Sequence, residues 1–176
     1  MRTIMAVLFA GLATAPLFHP ALAQNLAGRR APSFSLPDSA FKQVDILDYR
    51  GRWLILNFTQ TSCPACAEVG RKLEAWKTKQ SARAAVLTIV LTPPENQQTV
   101  AKYVADTKTS SPVLFDMSLV AMAYFKRTPA NPQFDSPHVF AVNPQGNIVK
   151  DWNQTQVTAP AMVTELDQLV AGAPAK

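Results

Sequence analysis

The chain contains only two cysteines, Cys63 and Cys66, and their position constrains the fold more than any other feature of the sequence. They follow a continuous apolar run at residues 53–58 and precede a segment with helical periodicity that reaches about Lys79. A Cys-x-x-Cys pair between a buried strand and the first turn of a helix is the geometry of a thiol–disulfide redox site. The sequence therefore predicts that the other elements support this pair.

The first 23 residues have the layout of a secretory signal peptide. Arg2 supplies an early positive charge, residues 4–17 are almost wholly apolar or small, and residues 21–23 form a small-x-small cleavage site. The apolar stretch is short for a membrane span of about 20 residues, which favours a cleaved signal over a retained anchor. We therefore expect cleavage after Ala23, export to the periplasm, and a flexible lead-in over residues 24–30.

The remaining length suits one domain with its own core, which we assign to residues 31–171, with a loose tail at residues 172–176. Loss of Arg2 lowers the formal charge from +5 to +4, so the mature chain is mildly basic. Its basic residues are scattered, and no basic tract is interleaved with aromatic residues. The sequence therefore gives no indication of nucleic-acid binding.

Hydrophobic periodicity predicts an alternation of strands and helices. Strands are expected near residues 34–36, 53–58, 84–91, 113–115, 138–142 and 147–152, and a short strand or turn near 44–47. Helices are expected near residues 64–79, 95–107, 118–125 and 159–170. Continuous apolar runs indicate buried central strands. Residues 126–136 are polar, contain two prolines and lack periodicity, so they are predicted to be a loop. This order predicts an α/β fold with a central mixed sheet flanked by helices on both faces.

Four matches carry a family resemblance. They are residues 31–36, residues 49–58 before the cysteines, the Cys63–Cys66 pair itself, and Pro137 ahead of the strand at 138–142. Through them the chain resembles the thioredoxin-like superfamily, and within it the exported TlpA/ResA-type thiol–disulfide oxidoreductases. The resemblance spans residues 31–170 and implies a thioredoxin-like fold. It also implies a cis peptide bond before Pro137, and a substrate chain that pairs with the backbone of Ser136.

The sequence also departs from that family. Ser62 stands where an aromatic residue usually precedes the first cysteine, and Arg71, beside Gly70, replaces a helix-bending proline. Val69 replaces the glutamate found in TlpA/ResA-type members. Asn57 occupies the position of the buried aspartate of cytosolic thioredoxins and cannot serve as a proton acceptor. These departures leave the implied fold intact and the substrate open.

The two cysteines are expected to have different chemical roles. At the helix N-terminus, the helix dipole and free N–H groups favour the Cys63 thiolate, which attacks a substrate disulfide. Cys66, one turn later, resolves the mixed disulfide, so the pair cycles between dithiol and disulfide without a cofactor. A purely structural bridge is poorly motivated, because so short a loop constrains the unfolded chain little.

Other functions remain open from the residues alone. The cysteines could bind copper(I) in a metallochaperone, with His138 or a methionine such as Met117 or Met122 as a further ligand; structural zinc is disfavoured because it requires four ligands. A disulfide oxidant and a peroxidase-like thiol enzyme are two more candidates, and the two-residue spacer argues against the peroxidase. His138 is either a modulator of the Cys63 thiolate or an ordinary half-exposed strand residue.

The favoured interpretation is a periplasmic reductase of exported protein disulfides, such as those of cytochrome c maturation. It would act as a monomer and receive electrons from a membrane donor of the thiol-relay type. This direction of electron flow rests on the resemblance. The loop at residues 126–135 leads into Pro137 and either borders the substrate groove or is a solvated insertion.

Overall fold

The apolar runs of the sequence form strands, and the periodic segments between them form helices. The computed structural model describes residues 26–130 and 134–172. The strands are β1 (Ser35–Pro37), β2 (Gln43–Asp45), β3 (Trp53–Thr59), β4 (Ala84–Leu91), β5 (Val113–Asp116), β6 (His138–Val142) and β7 (Ile148–Trp152). The helices are α1 (Pro64–Gln80), α2 (Gln97–Thr107), α3 (Leu119–Phe125), α4 (Gln154–Thr158) and α5 (Ala161–Ala171), with a one-turn 3-10 helix at Ile46–Tyr49. The predicted signal peptide lies outside the described residues.

Five of the strands form one mixed sheet in the order β5-β4-β3-β6-β7. β3, β4 and β5 run parallel, whereas β6 is antiparallel to β3 and to β7. The carboxyl ends of the three parallel strands and the amino end of β6 therefore meet at one edge of the sheet. This edge brings together the segments after β3, after β4 and before β6, which are distant in sequence. The separate pair β1–β2 is antiparallel.

The sheet is covered by helices on both faces, as the sequence predicted. Side chains alternate along β3, so Leu54 and Phe58 pack with Tyr124 of α3, whereas Ile55 packs with Leu73 of α1 on the other face. Every residue of β3 is buried, which explains why its sequence is a continuous apolar run rather than an alternating one. Burying one large apolar side chain stabilises a fold by about 1.5–3 kcal/mol, so the two layers dominate its stability.

The α1 helix begins where the sequence predicted and packs unusually close to α2. Pro64 occupies the first turn, where its missing N–H is no loss. Further along, Gly70 faces Tyr103 of α2, and a Cβ atom at Gly70 would lie 2.2 Å from the Tyr103 hydroxyl oxygen. A side chain at position 70 would therefore force Tyr103 or the two helices to shift, a constraint that the sequence, in which Gly70 was noted only as the neighbour of Arg71, did not predict.

The lead-in predicted to be flexible is attached to the sheet over its described part, residues 26–30. Leu26 is buried in the core, the Gly28 N–H donates to the Ile148 carbonyl at 2.8 Å, and the Ile148 N–H donates to the Arg29 carbonyl at 2.8 Å. β7 is an edge strand whose outer N–H and C=O groups need partners. The lead-in supplies those of Ile148, so the folded domain begins before residue 31.

The sequence did not predict one short helix. The expected helix at 159–170 is confirmed as α5, but α4 precedes it as a separate helix, because Asn153 and Gln156 form a capping box that starts α4 and Pro160 separates it from α5. The segment at 44–47, expected to be a short strand or a turn, is a strand up to Asp45, whose carboxylate accepts the Leu47 N–H and caps the 3-10 helix that follows. Within residues 26–130 and 134–172, no helix combines the length and apolar character that crossing a bilayer requires.

Candidate active site

Cys63 and Cys66 lie at the carboxyl edge of β3 and form a disulfide, with their Cα atoms 5.1 Å apart. Cys63 is the N-cap of α1, and its Sγ accepts the Cys66 backbone N–H at 3.1 Å. An N-cap side chain satisfies one of the donors that the first helical turn leaves free. The same donor and the helix dipole stabilise negative charge on the Cys63 sulfur when the disulfide is reduced.

The two sulfurs differ in access to solvent. Cys63 is half-buried and lies between the exposed residues Ser62 and Pro64, whereas Cys66 has 0% exposure. An external disulfide or thiol can therefore reach Cys63 but not Cys66. The arrangement separates an attacking position from an internal one within a single helical turn.

The loop before β6 completes the other side of the pair. The Ser136–Pro137 peptide bond is cis, as the resemblance implied. The Ser136 hydroxyl oxygen lies 3.7 Å from the Cys66 sulfur, within reach of a weak hydrogen bond that the hydroxyl donates to the disulfide sulfur. Segments 70 residues apart are thus adjacent at the sheet edge.

Glu95 fixes the position of the loop that leads into Cys63, a role that was not predicted from the sequence. Its side chain is buried, and its two carboxylate oxygens accept from the Thr61 N–H at 2.8 Å, from the Thr61 hydroxyl, and from the Thr99 hydroxyl at 2.6 Å. Glu95 follows β4, the parallel neighbour of β3, so both loops end at the same edge. An acidic residue directly after the β4 run was the signal that could have found it.

The cis geometry of this edge is not confined to Pro137. The Thr92–Pro93 and Pro93–Pro94 bonds between β4 and Glu95 are also cis. The two prolines stop β4 and lead directly into Glu95, whose N–H donates to the Leu91 carbonyl at 3.0 Å. The sequence predicted only that this Pro-Pro segment ends the strand.

A buried polar group lies beneath α1. Asn57 and Thr59 of β3 are fully or almost fully buried, and Tyr103 of α2 faces them. Burial raises the pKa of Tyr103, so its hydroxyl stays protonated and can donate to either partner. None of the three reaches good hydrogen-bond geometry. Asn57, which cannot serve as a proton acceptor, therefore lies beside the Tyr103 hydroxyl in the interior of the protein.

The structure does not bring His138 to the cysteines. Its side chain is buried, with Nδ1 3.1 Å from Asp135 and Nε2 3.3 Å from Asp151. The ring packs on Phe125 and Phe140, on the face of the sheet covered by α3, whereas α1 covers the opposite face. The expectation of a half-exposed residue is wrong, and the suggested modulation of Cys63 has no contact to support it.

Asp135 uses the same carboxylate to anchor the loop before Pro137. Besides contacting His138, it accepts the Gln154 N–H of α4 at 2.7 Å. Burial acts to raise the pKa of Asp135, but the Gln154 N–H and His138 outweigh it and hold that pKa below its usual value. The segment before the cis bond is thus tied to β6, β7 and α4.

The copper alternative required a further ligand beside the cysteines. Met117 is exposed after β5, and Met122 belongs to α3, on the face opposite α1. Among residues 26–130 and 134–172, no three or more histidine, cysteine, aspartate or glutamate side chains are grouped to bind a metal. No observation in this part of the chain therefore favours the copper reading.

Comparison with known proteins agrees with the geometry. Over 123 residues the chain is 25% identical to the thiol-disulfide oxidoreductase ResA of Bacillus subtilis (strain 168), covering 70% of this chain and 65% of ResA. It is 28% identical over 90 residues to the thioredoxin-like protein YneN of the same organism, covering 51% of this chain and 53% of YneN. The matched region thus spans between half and two-thirds of these relatives.

A solved structure matches the fold more completely. The crystal structure of a thiol:disulfide interchange protein of the thioredoxin family from Chlorobium tepidum TLS superposes with a TM-score of 0.67 at 20% identity, covering 86% of this chain and 97% of that one. This likeness confirms the predicted thioredoxin-like fold. Residues 27–151, well over half of the sequence, match the model of the AhpC/TSA family. The chain therefore belongs to the AhpC/TSA family and has its thioredoxin-like fold.

Proposed function

We propose that the chain is a thiol–disulfide oxidoreductase in which Cys63 is the nucleophile and Cys66 the resolving thiol. One observation carries this proposal: the disulfide joins a half-exposed sulfur at the N-terminus of α1 to a fully buried one. A structural bridge needs neither the helix N-terminus nor the difference in exposure. The names of the relatives ResA and YneN point to the same chemistry.

The proposed reaction transfers two electrons from the Cys63–Cys66 dithiol to a substrate disulfide. In the reduced protein, the Cys63 thiolate attacks one sulfur of a substrate disulfide, and the other substrate sulfur leaves and takes up a proton. The Cys66 thiol then loses its proton and attacks the Cys63 sulfur, which releases the second substrate thiol. The substrate disulfide is reduced to two thiols, and the Cys63–Cys66 pair is oxidised to the disulfide seen in the structure.

Ser136 and Pro137 are proposed to bind the substrate chain. Ser136 lies beside the Cys66 sulfur, so a polypeptide that pairs with its backbone would pass over the disulfide. Pro137 has no N–H to donate, and the bond before it is cis. A backbone-mediated contact would accept many sequences, which suits a substrate class of protein disulfides.

The direction and setting of the reaction are also part of the proposal. We assign the chain as a reductase of exported protein disulfides, including those of cytochrome c maturation, working as a monomer in the periplasm after cleavage behind Ala23. Electrons would come from a membrane donor of the thiol-relay type. The layout of residues 1–23 supports export, and the TlpA/ResA-type sequence matches support the reductive direction.

Insulin reduction by dithiothreitol, followed by turbidity, tests the proposal. The wild-type chain should accelerate precipitation, Cys63→Ser should be inactive, and Cys66→Ser should accumulate a mixed disulfide with insulin on non-reducing gels. Ser62→Ala, which changes the exposed neighbour and keeps both thiols, is the control and should remain active. Activity in Cys63→Ser would contradict the assignment, as would an inactive wild type that binds one equivalent of copper(I).

A further inference from the structure

A second candidate site lies at the other end of β3, away from the cysteines. A cavity of about 250 Å³ opens where the lead-in, the 3-10 helix and the β6–β7 hairpin meet. Its apolar wall includes Leu54 and Val142, which are paired across β3 and β6, and Ile46 of the 3-10 helix. Since β3 is seven residues long, this cavity is about 20 Å from the redox pair. We call it the arginine cavity.

Three arginines line the cavity, and within the described part of the chain no aspartate or glutamate lines it. Arg30 and Arg50 are exposed, and neither guanidinium makes a hydrogen bond or an ion pair with residues 26–130 or 134–172. Arg52 already donates to the Ala84 carbonyl at 2.7 Å, and its Nε is buried without a partner. The guanidinium groups of Arg30 and Arg50 therefore have no ion-pair partner in these segments.

The uncharged polar groups of the cavity also act as donors. The Asn143 side-chain oxygen already accepts the N–H groups of Gln145 and Asn147, at 3.1 and 2.9 Å, so its remaining free group is the NH₂ donor. Burial raises the pKa of Tyr49, whose hydroxyl therefore stays protonated and can donate. Donors and positive charge above an apolar wall match a ligand with an anionic head and an apolar chain.

We propose that the arginine cavity binds a small amphiphilic anion. Arg30 and Arg50 contact its carboxylate or phosphate head, and the apolar chain lies against Leu54 and Val142. A guanidinium forms strong, often bidentate hydrogen bonds with either head group. The site is separate from Cys63 and does not depend on the proposed redox function, so either assignment can fail alone.

Isothermal titration calorimetry of the oxidised chain with n-octyl phosphate tests the proposal. We expect binding of one equivalent, at least tenfold tighter than that of n-octanol or inorganic phosphate, each of which lacks half of the ligand. Binding should weaken when NaCl is raised from 50 to 500 mM, because salt screens the guanidinium charges. Equal affinity for octanol and octyl phosphate, or no binding of octyl phosphate, would overturn it.

Charge-matched variants locate the site. Arg30→Gln/Arg50→Gln should weaken octyl phosphate binding at least tenfold, whereas Lys79→Gln/Lys108→Gln, which removes two exposed charges elsewhere, should change it less than threefold. Equal effects of the two pairs would refute the assignment to this cavity. Repeating the titration with octanoate identifies the preferred head group, and co-sedimentation with phosphatidylglycerol vesicles shows whether a membrane lipid or a free amphiphile supplies it.

Discussion

The two ends of β3 differ in how their charged side chains are partnered. At the carboxyl end, Glu95 accepts three hydrogen bonds, so the carboxylate that fixes the loop before the disulfide has its partners inside the protein. At the amino end, Arg30 and Arg50 have no side-chain partner within the described residues. Groups that position a reacting sulfur must be fixed internally, whereas groups that bind an external ion must stay available.

The largest expected effect separates the two ends completely. Cys63→Ser should reduce insulin reduction to the rate without protein and leave octyl phosphate affinity within about twofold, because the cavity is about 20 Å away. Arg30→Gln/Arg50→Gln should do the reverse. Turbidity and calorimetry on the same preparations measure both. A variant that changes both properties would show that the ends are coupled.

His138→Phe tests whether the histidine is structural. It should lower the free energy of unfolding by about 2–3 kcal/mol, since Asp135 and Asp151 would lose a buried partner. The reduction potential of the cysteine pair should stay within about 15 mV, because the ring lies on the other face of the sheet. His138→Gln, which keeps hydrogen-bonding capacity, is the control and should cost less in urea titrations. A large shift in potential would restore the modulator role.

Gly70→Ala probes the close approach of α1 to α2. The added methyl would collide with the Tyr103 hydroxyl, so we expect a loss of about 1–2 kcal/mol despite the better helix propensity of alanine. In a Tyr103→Phe background the same change should cost less, because the colliding oxygen is gone. Urea unfolding of the wild type, the two single variants and the double variant gives the coupling energy between the two positions. Additive effects would mean that the helices separate to accommodate the methyl group.

Glu95→Gln tests whether the Glu95 carboxylate positions the loop before Cys63. A glutamine amide has one acceptor oxygen where the carboxylate has two, so the Thr61 N–H bound to Oε1 and the Thr61 and Thr99 hydroxyls bound to Oε2 cannot all keep their bonds. The loop before Cys63 should shift, and insulin reduction should fall about tenfold while the chain stays folded. Asp106→Asn, on the exposed side of α2, serves as the control and should retain full activity. Unchanged activity in Glu95→Gln would show that these hydrogen bonds are not needed to position the loop.

The smallest expected effect concerns Glu74, whose carboxylate accepts hydrogen bonds inside the protein although it lies toward the amino end of the sheet. Burial acts to raise the pKa of Glu74, but hydrogen bonds from Ser110, Lys77 and Thr109 outweigh it and lower the pKa to about 2. Because the folded pKa is below the unfolded one, this stabilisation is present above about pH 4.5 and is lost as pH falls toward 2. Glu74→Gln should therefore show a smaller drop in thermal stability between pH 5 and pH 3 than the wild type. An identical drop would mean that Glu74 contributes nothing to acid unfolding.

The sequence predicted the redox edge better than the rest of the molecule, for physical reasons. The β3–α1 unit is local, so an apolar run followed by Cys63-Pro64 and a periodic stripe is sufficient to identify it. The roles of Glu95 and His138 depend on which strand lies beside β3 and which face α3 covers, and neither fact is local. His138 shares its face with Phe140, and that alternation could have predicted its burial. The arginine cavity could not be predicted, because three distant segments build it.

The most direct test of the proposed reductase function is the reduction potential of the Cys63–Cys66 pair. It can be measured by equilibrating the chain with defined ratios of oxidised and reduced dithiothreitol or glutathione and then alkylating the free thiols. A reductase should have a potential near that of thioredoxin, about −270 mV. A value near −120 mV, typical of a strong disulfide oxidant, would contradict the proposed direction of electron flow.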